Sequence, residues 1–315
     1  MDEFDLIKRF FDRPELRPGP KMALGPGDDC ALLQVPFKHE LAVTSDTFVS
    51  DVHFFADMAA SQIAQRCLAA SVSDLAAMGA TPAWFNLCLT MPRADEAWVS
   101  SFSQGLSVQA QACAISLAGG DTTKGPLSIS IHVMGWVPLG QAITRSGAQV
   151  GDVIMVSGSL GDSAAGLQLM QKQRNVSGTL SNRFWNPTPR IALGQWLRNK
   201  ATACLDISDG LVQDLGHILT ASHCGADLQL NKLPLSAALK SYVSLTQARD
   251  YALNGGEDFE LCFTLPPHLV AEAHAYSKLH NLPLTAIGHT SQQLGCRIWD
   301  GDSGLFTPPA GYQHF

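Results

Sequence analysis

No stretch of this 315-residue chain reaches about 18 consecutive apolar residues, so no membrane-spanning helix is expected. The opening residues, MDEFDLIKRFF, lack a basic n-region, an apolar h-region and a small-residue cleavage site. A cytoplasmic location without an export signal is the expectation. Charge is scarce: charged residues make up 16%, against about 25% in ordinary domains. The formal net charge is −7, which argues against a nucleic-acid binder held by a basic surface. The eight cysteines never come closer than 20 positions, at Cys204 and Cys224, so no CxxC and no zinc-knuckle spacing exists. Most sit in apolar runs and read as small buried hydrophobes in a reducing compartment. GxxxxGK[ST], HRD, DFG and HExxH are all absent. Ser157-Gly158-Ser159-Leu160-Gly161 lacks the first glycine of a GxSxG elbow.

Glutamate is also scarce. Of 28 carboxylates, 21 are Asp and 7 are Glu. Helix surfaces favour Glu, whereas Asp favours turns, caps and metal loops. Hydrophobic residues make up 46%, enough for a packed core, and the length suits about two domains.

The hydrophobic pattern predicts strands at 41–45, 84–90 and 127–137. It predicts helices at 58–78, capped by Asp57 and ended by Gly79, and at 96–117, weakened by Gly105. This is an α/β (α+β) first half. Residues 138–151 are polar and rich in turn formers, which places the boundary between domains 1–138 and 139–315. The second half is also α/β, with strands at 152–156, 226–230, 259–265, 284–288 and 296–299. Helices are expected after Gly161, from Pro187 or Pro189 to Leu197, and over 211–221. The polar stretch 171–186 reads as a mobile loop.

Five acidic segments are read as loops: Asp28-Asp29, Thr44-Ser45-Asp46, Ser73-Asp74, Gly119-Gly120-Asp121 and Asp206-Ile207-Ser208-Asp209-Gly210. Gly255-Gly256-Glu257-Asp258 is similar in style. Singly, each has an ordinary reading as a closed turn, strand end or helix cap. Asp74 fits that reading least, lying near a helix C-terminus in an apolar run with no Lys or Arg at i±3 or i±4. Convergence of several such carboxylates requires a divalent cation, and oxygen-only donors suit Mg²⁺ shared with phosphate oxygens. The neighbouring glycines allow close backbone approach and offer N–H groups to phosphate. The pattern points to metal plus polyphosphate without naming a reaction.

Seven blocks then stand in order along the chain: GPGDDCALL (25–33), TSDTFVSDVHF (44–54), SVSDLAAMGATPAW (71–84), GGDTTKGPLSISIHVMGWVP (119–138), TRSGAQVGD (144–152), LDISDGLVQDLGHI (205–218) and GGEDFELCFT (255–264). In these the chain resembles the thiamine-monophosphate kinases, of the superfamily that includes aminoimidazole ribonucleotide synthetase and selenophosphate synthetase. The resemblance implies ATP-dependent phosphorylation of thiamine monophosphate to thiamine diphosphate, with several Mg²⁺ ions. It implies a mixed-sheet N-terminal domain that pairs with its copy in a barrel-like homodimer core, and a C-terminal α/β domain that completes the site.

Carried over by position, Asp29, Thr44, Ser45, Asp46, Asp74, Asp121, Asp206 and Asp209 are the implied Mg²⁺ contacts. Gly120, Asp121, Arg145 and Ser208 are the implied ATP contacts, and His53 and Glu257 the implied thiamine-phosphate contacts. Family members often carry an aromatic residue two positions before a C-terminal Gly-Tyr, where this chain has Pro309. Phe306 and Tyr312 are candidates to compensate. Two alternatives stand beside this reading: another ATP-dependent phosphoryl-transfer enzyme of the superfamily, and a non-catalytic nucleotide-binding dimer.

Overall fold

The computed structural model describes residues 3–173, 176–301 and 304–306. The chain divides into two compact units, Met1–Ala142 and Ile143–Phe315.

The first unit runs α1 (Glu3–Leu6), β1 (His39–Val49), α2 (Ala60–Ala77), β2 (Thr81–Met91), α3 (Glu96–Cys113), β3 (Ser116–Lys124) and β4 (Ser128–Pro138). Its four strands lie in the order β1-β4-β2-β3. β1 and β2 run antiparallel to β4, and β2 runs parallel to β3, with α3 as the crossover. β4 shows why it is a strand. Ile129, Ile131, Val133 and Val137 are buried, whereas Ser130, His132, Met134 and Trp136 are half-buried on the opposite face. α2 and α3 supply fully buried Ile63, Leu68, Phe102 and Leu106 to the core.

Gly105 lies mid-helix in α3, where a Cβ would stand 2.1 Å from the Ser61 carbonyl oxygen. The glycine that weakens helix propensity there permits close approach of α2 and α3. α2 has Ala59 at its N-cap position, two residues after the expected Asp57. α3 is capped by Asp95, whose Oδ1 accepts from Ala97 N and Trp98 N at 3.1 Å. It ends four residues short of the predicted 117, because Ala114 takes a left-handed conformation (φ 51°) and β3 begins at Ser116.

The second unit runs β5 (Val153–Ser157), α4 (Asp162–Lys172), α5 (Thr179–Trp185), α6 (Ile191–Leu197), β6 (Ala203–Asp206), α7 (Leu211–Ala221), β7 (Gly225–Gln229), α8 (Ala237–Tyr242), α9 (Leu245–Asn254), β8 (Leu261–Leu265), α10 (Val270–His280), β9 (Leu284–Ser291), β10 (Gly295–Trp299) and β11 (Leu305–Phe306). The seven strands lie in the order β11-β10-β7-β9-β5-β8-β6. β5 is buried along its length and pairs antiparallel with both β8 and β9. Ile154, Leu205, Leu215, Ile218 and Leu228 anchor the core.

The stretch read as a mobile loop, 171–186, is largely structured. α4 extends to Lys172, and α5 buries Leu180 and Phe184. Polar composition hid an element held by few but well-buried apolar anchors. α6 starts at Ile191 after Arg190 rather than at a proline. Among the described residues no helix is long and apolar enough to cross a membrane. Pro309 and Tyr312 lie outside the described residues.

Candidate active site

Asp74 lies in α2, in keeping with its expected place near a helix C-terminus, whereas Asp46 and Asp121, read as loop residues, sit in β1 and β3. Asp disfavours strands in general, but β1 and β3 are the edge strands of their sheet, where charge is tolerated.

Strand alternation then separates neighbours in sequence. Thr44 and Asp46 pair with Val133 and Ile131 of β4, on the face packed against the helices. Thr44 Oγ1 donates to Asp74 Oδ2 of α2 at 2.7 Å. Ser45 points to the opposite face, where its hydroxyl bonds His132 Nδ1. Asn86 and His132 are paired in register, as are Cys88 and Asp121, so the open face carries a polar row.

A cavity of about 970 Å³ opens on that face, lined by Asp28, Asp29, Asn86, Gly120, Asp121 and His132 among others. Gly120 is required there. Its φ is +155°, and a Cβ would stand 1.8 Å from the Leu87 carbonyl oxygen. The unit thus brings Asp29, Gly120 and Asp121 together at the cavity. Thr44 and Asp74 meet on the helix-facing side. Among the described residues no three His, Cys, Asp or Glu side chains gather closely enough to hold one ion. His53 is engaged locally: its Nδ1 accepts from Val49 N at 3.0 Å, and its ring meets Phe48 edge-on.

In the second unit two loops run side by side. Asp206 ends β6 with 8% exposure. Ile207 N donates to Glu260 O, Glu257 N to Ser208 O and Phe259 N to Ile207 O, at 2.8–2.9 Å. This ladder places Asp206, Ser208, Asp209 and Glu257 in one neighbourhood. Glu257 is held at φ +71°, a conformation costly for a non-glycine residue and typical of functional loops. Arg145 is exposed, and its carbonyl accepts from Ser222 Oγ at 3.2 Å.

Three buried carboxylates to which the sequence analysis gives no role of their own organise these loops. Asp214, in the first turn of α7, accepts from the N–H groups of Ser208, Asp209 and Gly210, each at 3.0 Å. Burial pushes its carboxyl up to about 6, opposed by those same bonds. Asp258 accepts from Gly161 N at 2.7 Å and Ser163 N at 3.3 Å at the start of α4, and burial pushes it up to about 7. Glu260 accepts from Ser157 Oγ at 2.5 Å, Arg183 Nη2 at 2.8 Å and Arg190 Nε at 2.7 Å. For Asp214 an available signal was its place in the first helical turn after Asp209-Gly210, where an acid suits the helix N-terminus. The other two depend on partners about 70 to 100 residues away, which no local spacing displays.

The loops also revise one expectation. The N–H groups of Ser208, Asp209 and Gly210 are engaged by the protein's own carboxylate. They are not free donors for a phosphate.

Residues 27–137 match the AIR synthase related protein N-terminal domain, and residues 149–300 match the AIR synthase related protein C-terminal domain. The chain is 45% identical over 323 residues to thiamine-monophosphate kinase of Haemophilus influenzae, covering 100% of this chain and 98% of the relative. The crystal structure of thiamine-monophosphate kinase from Stenotrophomonas maltophilia superposes with TM-score 0.87 at 44% identity, covering 95% of this chain and 96% of that one. AaThiL complexed with AMPPCP and TMP superposes with TM-score 0.78 at 29% identity, covering 99% and 96%. Matches of this extent in sequence and in structure mean that the chain belongs to the AIR synthase related proteins and, within them, to the thiamine-monophosphate kinases.

Proposed function

We propose that this chain transfers the terminal phosphoryl group of ATP to thiamine monophosphate, giving thiamine diphosphate and ADP. The observation that carries the reading is the AaThiL complex with AMPPCP and TMP, a relative matched along 99% of this chain. The acidic cavity with its obligatory Gly120 supports it.

The acceptor is a phosphate oxygen of thiamine monophosphate, already anionic near neutral pH. It needs no strong general base. The physical difficulty is bringing two phosphate anions together, so the protein acts by positioning and by offsetting charge, with direct in-line transfer.

Mg²⁺ fits the residues present. The donors are carboxylates and hydroxyls, and among the described residues no cluster of His and Cys competes. Mg²⁺ keeps several waters and commonly takes one or two carboxylates plus substrate phosphates, so a dedicated three-carboxylate cage is not required. Bound there, it would supply charge neutralisation at the polyphosphate. More than one ion would be held in residues 1–138: by Asp29 and Asp121 at the cavity, and by Asp46 and Asp74 on the helix-facing side, with Thr44 and Ser45 as further contacts. In residues 139–315, Asp206 and Asp209 would be the Mg²⁺ contacts. Gly120, Arg145 and Ser208 would contact ATP, Arg145 as an always-charged guanidinium. His53 and Glu257 would contact the thiamine phosphate.

A homodimer through the first unit is part of the reading. On the open face of β1, Leu41 is 48% exposed and Val43 58% exposed, a pair of apolar side chains suited to cover by a second copy.

The test is ADP release from ATP and Mg²⁺ with and without thiamine monophosphate. Release that depends on the thiamine compound is expected; release indifferent to it removes the substrate assignment.

A further inference from the structure

Asp214 makes an unusual use of one oxygen atom. Its Oδ2 takes all three N–H groups of Ser208, Asp209 and Gly210 at 3.0 Å, and the residue is 4% exposed. Three successive amides that converge in this way form a concave nest that favours an anion. Here the anion is internal. Gly210 has no room to rearrange: its φ is +124°, and a Cβ would stand 2.9 Å from the Asn254 carbonyl. The same loop holds its neighbour, because Ser208 O accepts from Glu257 N at 2.8 Å. A Cβ on Gly256 would stand 2.3 Å from that same oxygen, so the two loops are packed backbone to backbone.

We propose that Asp214 is the positioning residue for the acidic loops of the second unit. It fixes Ser208 and Asp209 directly and Glu257 through Ser208. The inference rests on the kinase reading for what these residues contact, but the clamp itself is a property of the loop. Without the carboxylate, three amides at a largely buried site lose their common acceptor, and the loop must turn them elsewhere. Because a single oxygen serves all three, an amide in place of the carboxylate keeps the clamp.

The experiment compares wild type, Asp214→Ala and Asp214→Asn in the full chain. It reads kcat, KM for both substrates, the midpoint of Mg²⁺ activation, and amide hydrogen exchange over 208–210. Asp214→Ala is expected to lower kcat by about tenfold or more, to raise the Mg²⁺ midpoint, and to speed exchange at these amides by at least about tenfold. Asp214→Asn is expected to stay within about threefold of wild type in each. A folded Asp214→Ala protein with wild-type kinetics and exchange overturns the proposal, as does Asp214→Asn behaving like Asp214→Ala. If Asp214→Ala does not fold, Asp214→Glu takes its place, since it displaces the oxygen by one methylene while keeping the charge. Wild-type kinetics and exchange in Asp214→Glu overturn the proposal equally. A wild-type chain inert toward thiamine monophosphate counts against the kinase reading alone, and the exchange rates then decide the clamp by themselves.

Discussion

Thr44 Oγ1 donates a hydrogen bond of 2.7 Å to Asp74 Oδ2, joining an edge strand to the last turns of the helix packed beneath it. Asp74 lies near the C-terminal end of α2, where the helix dipole disfavours an anion. The hydroxyl offsets part of that cost and aims the carboxylate.

Asp74→Asn and Asp121→Asn are each expected to cut kcat by at least about a hundredfold, the scale of losing a main electrostatic contribution. Thr44→Val should cost about threefold to tenfold in kcat/KM, with Thr44→Ser close to wild type, as for one hydrogen bond to a charged group. Steady-state kinetics at saturating Mg²⁺ check this. Near-wild-type turnover in Asp74→Asn removes Asp74 from the site.

Glu260 is 1% exposed and bridges Arg183 and Arg190. Glu260→Ala leaves two largely buried guanidinium groups without their shared partner. A loss of about 3–5 kcal/mol is expected, the range for removing one member of a buried ion pair. The midpoint of chemical denaturation measures it. An unchanged midpoint would mean that these arginines find solvent without cost.

Burial lifts Asp258 from an ordinary 3.8 to about 7. Between those values the folded chain holds a proton that the unfolded chain has released. This carboxyl therefore contributes stability that is whole below roughly pH 4 and is lost as pH rises through about 7. Asp214, lifted to about 6, acts in the same direction. Melting temperature recorded from about pH 5 to about pH 8 should include a falling component, flatter in Asp258→Asn. Identical slopes in the two proteins would assign the fall to other groups.

Direct transfer leaves no phosphorylated protein. Incubation with γ-labelled ATP, followed by acid or base quench, is expected to leave the chain unlabelled. A stable labelled adduct would require a two-step mechanism through a protein nucleophile.

Much of the architecture was legible because it follows periodicity. The alternation of Ile129, Ile131 and Val133 announces β4, and the Ala-rich run announces α2. β3 was not legible. Its Gly119-Gly120-Asp121 segment carries the residues least suited to a strand, and only pairing with β2 makes it one. The acidic residues could be found by their glycine and strand-end neighbours, but their faces could not. Ending the strand at Ser45 and treating Thr44-Ser45-Asp46 as one acidic segment hides the alternation that sends Ser45 to His132 and Thr44 to Asp74. The buried supports, Asp258 and Glu260, depend on contacts remote in sequence. α5 was masked by a polar surface that says nothing about Phe184 beneath it.

β1 pairs along its whole length with β4, Thr44 against Val133 and Val49 against Ser128. A ribosome therefore releases Thr44 long before its strand partner exists. Until Pro138 has emerged, β1 is an unpaired edge that itself carries apolar Leu41 and Val43, open to wrong partners. Closing a sheet between segments so distant in sequence is slow, because the loop entropy is paid before the ladder forms. An early-made part of the candidate site is thus fixed only once β4 has been made, and the nascent chain is most exposed to misassembly until then.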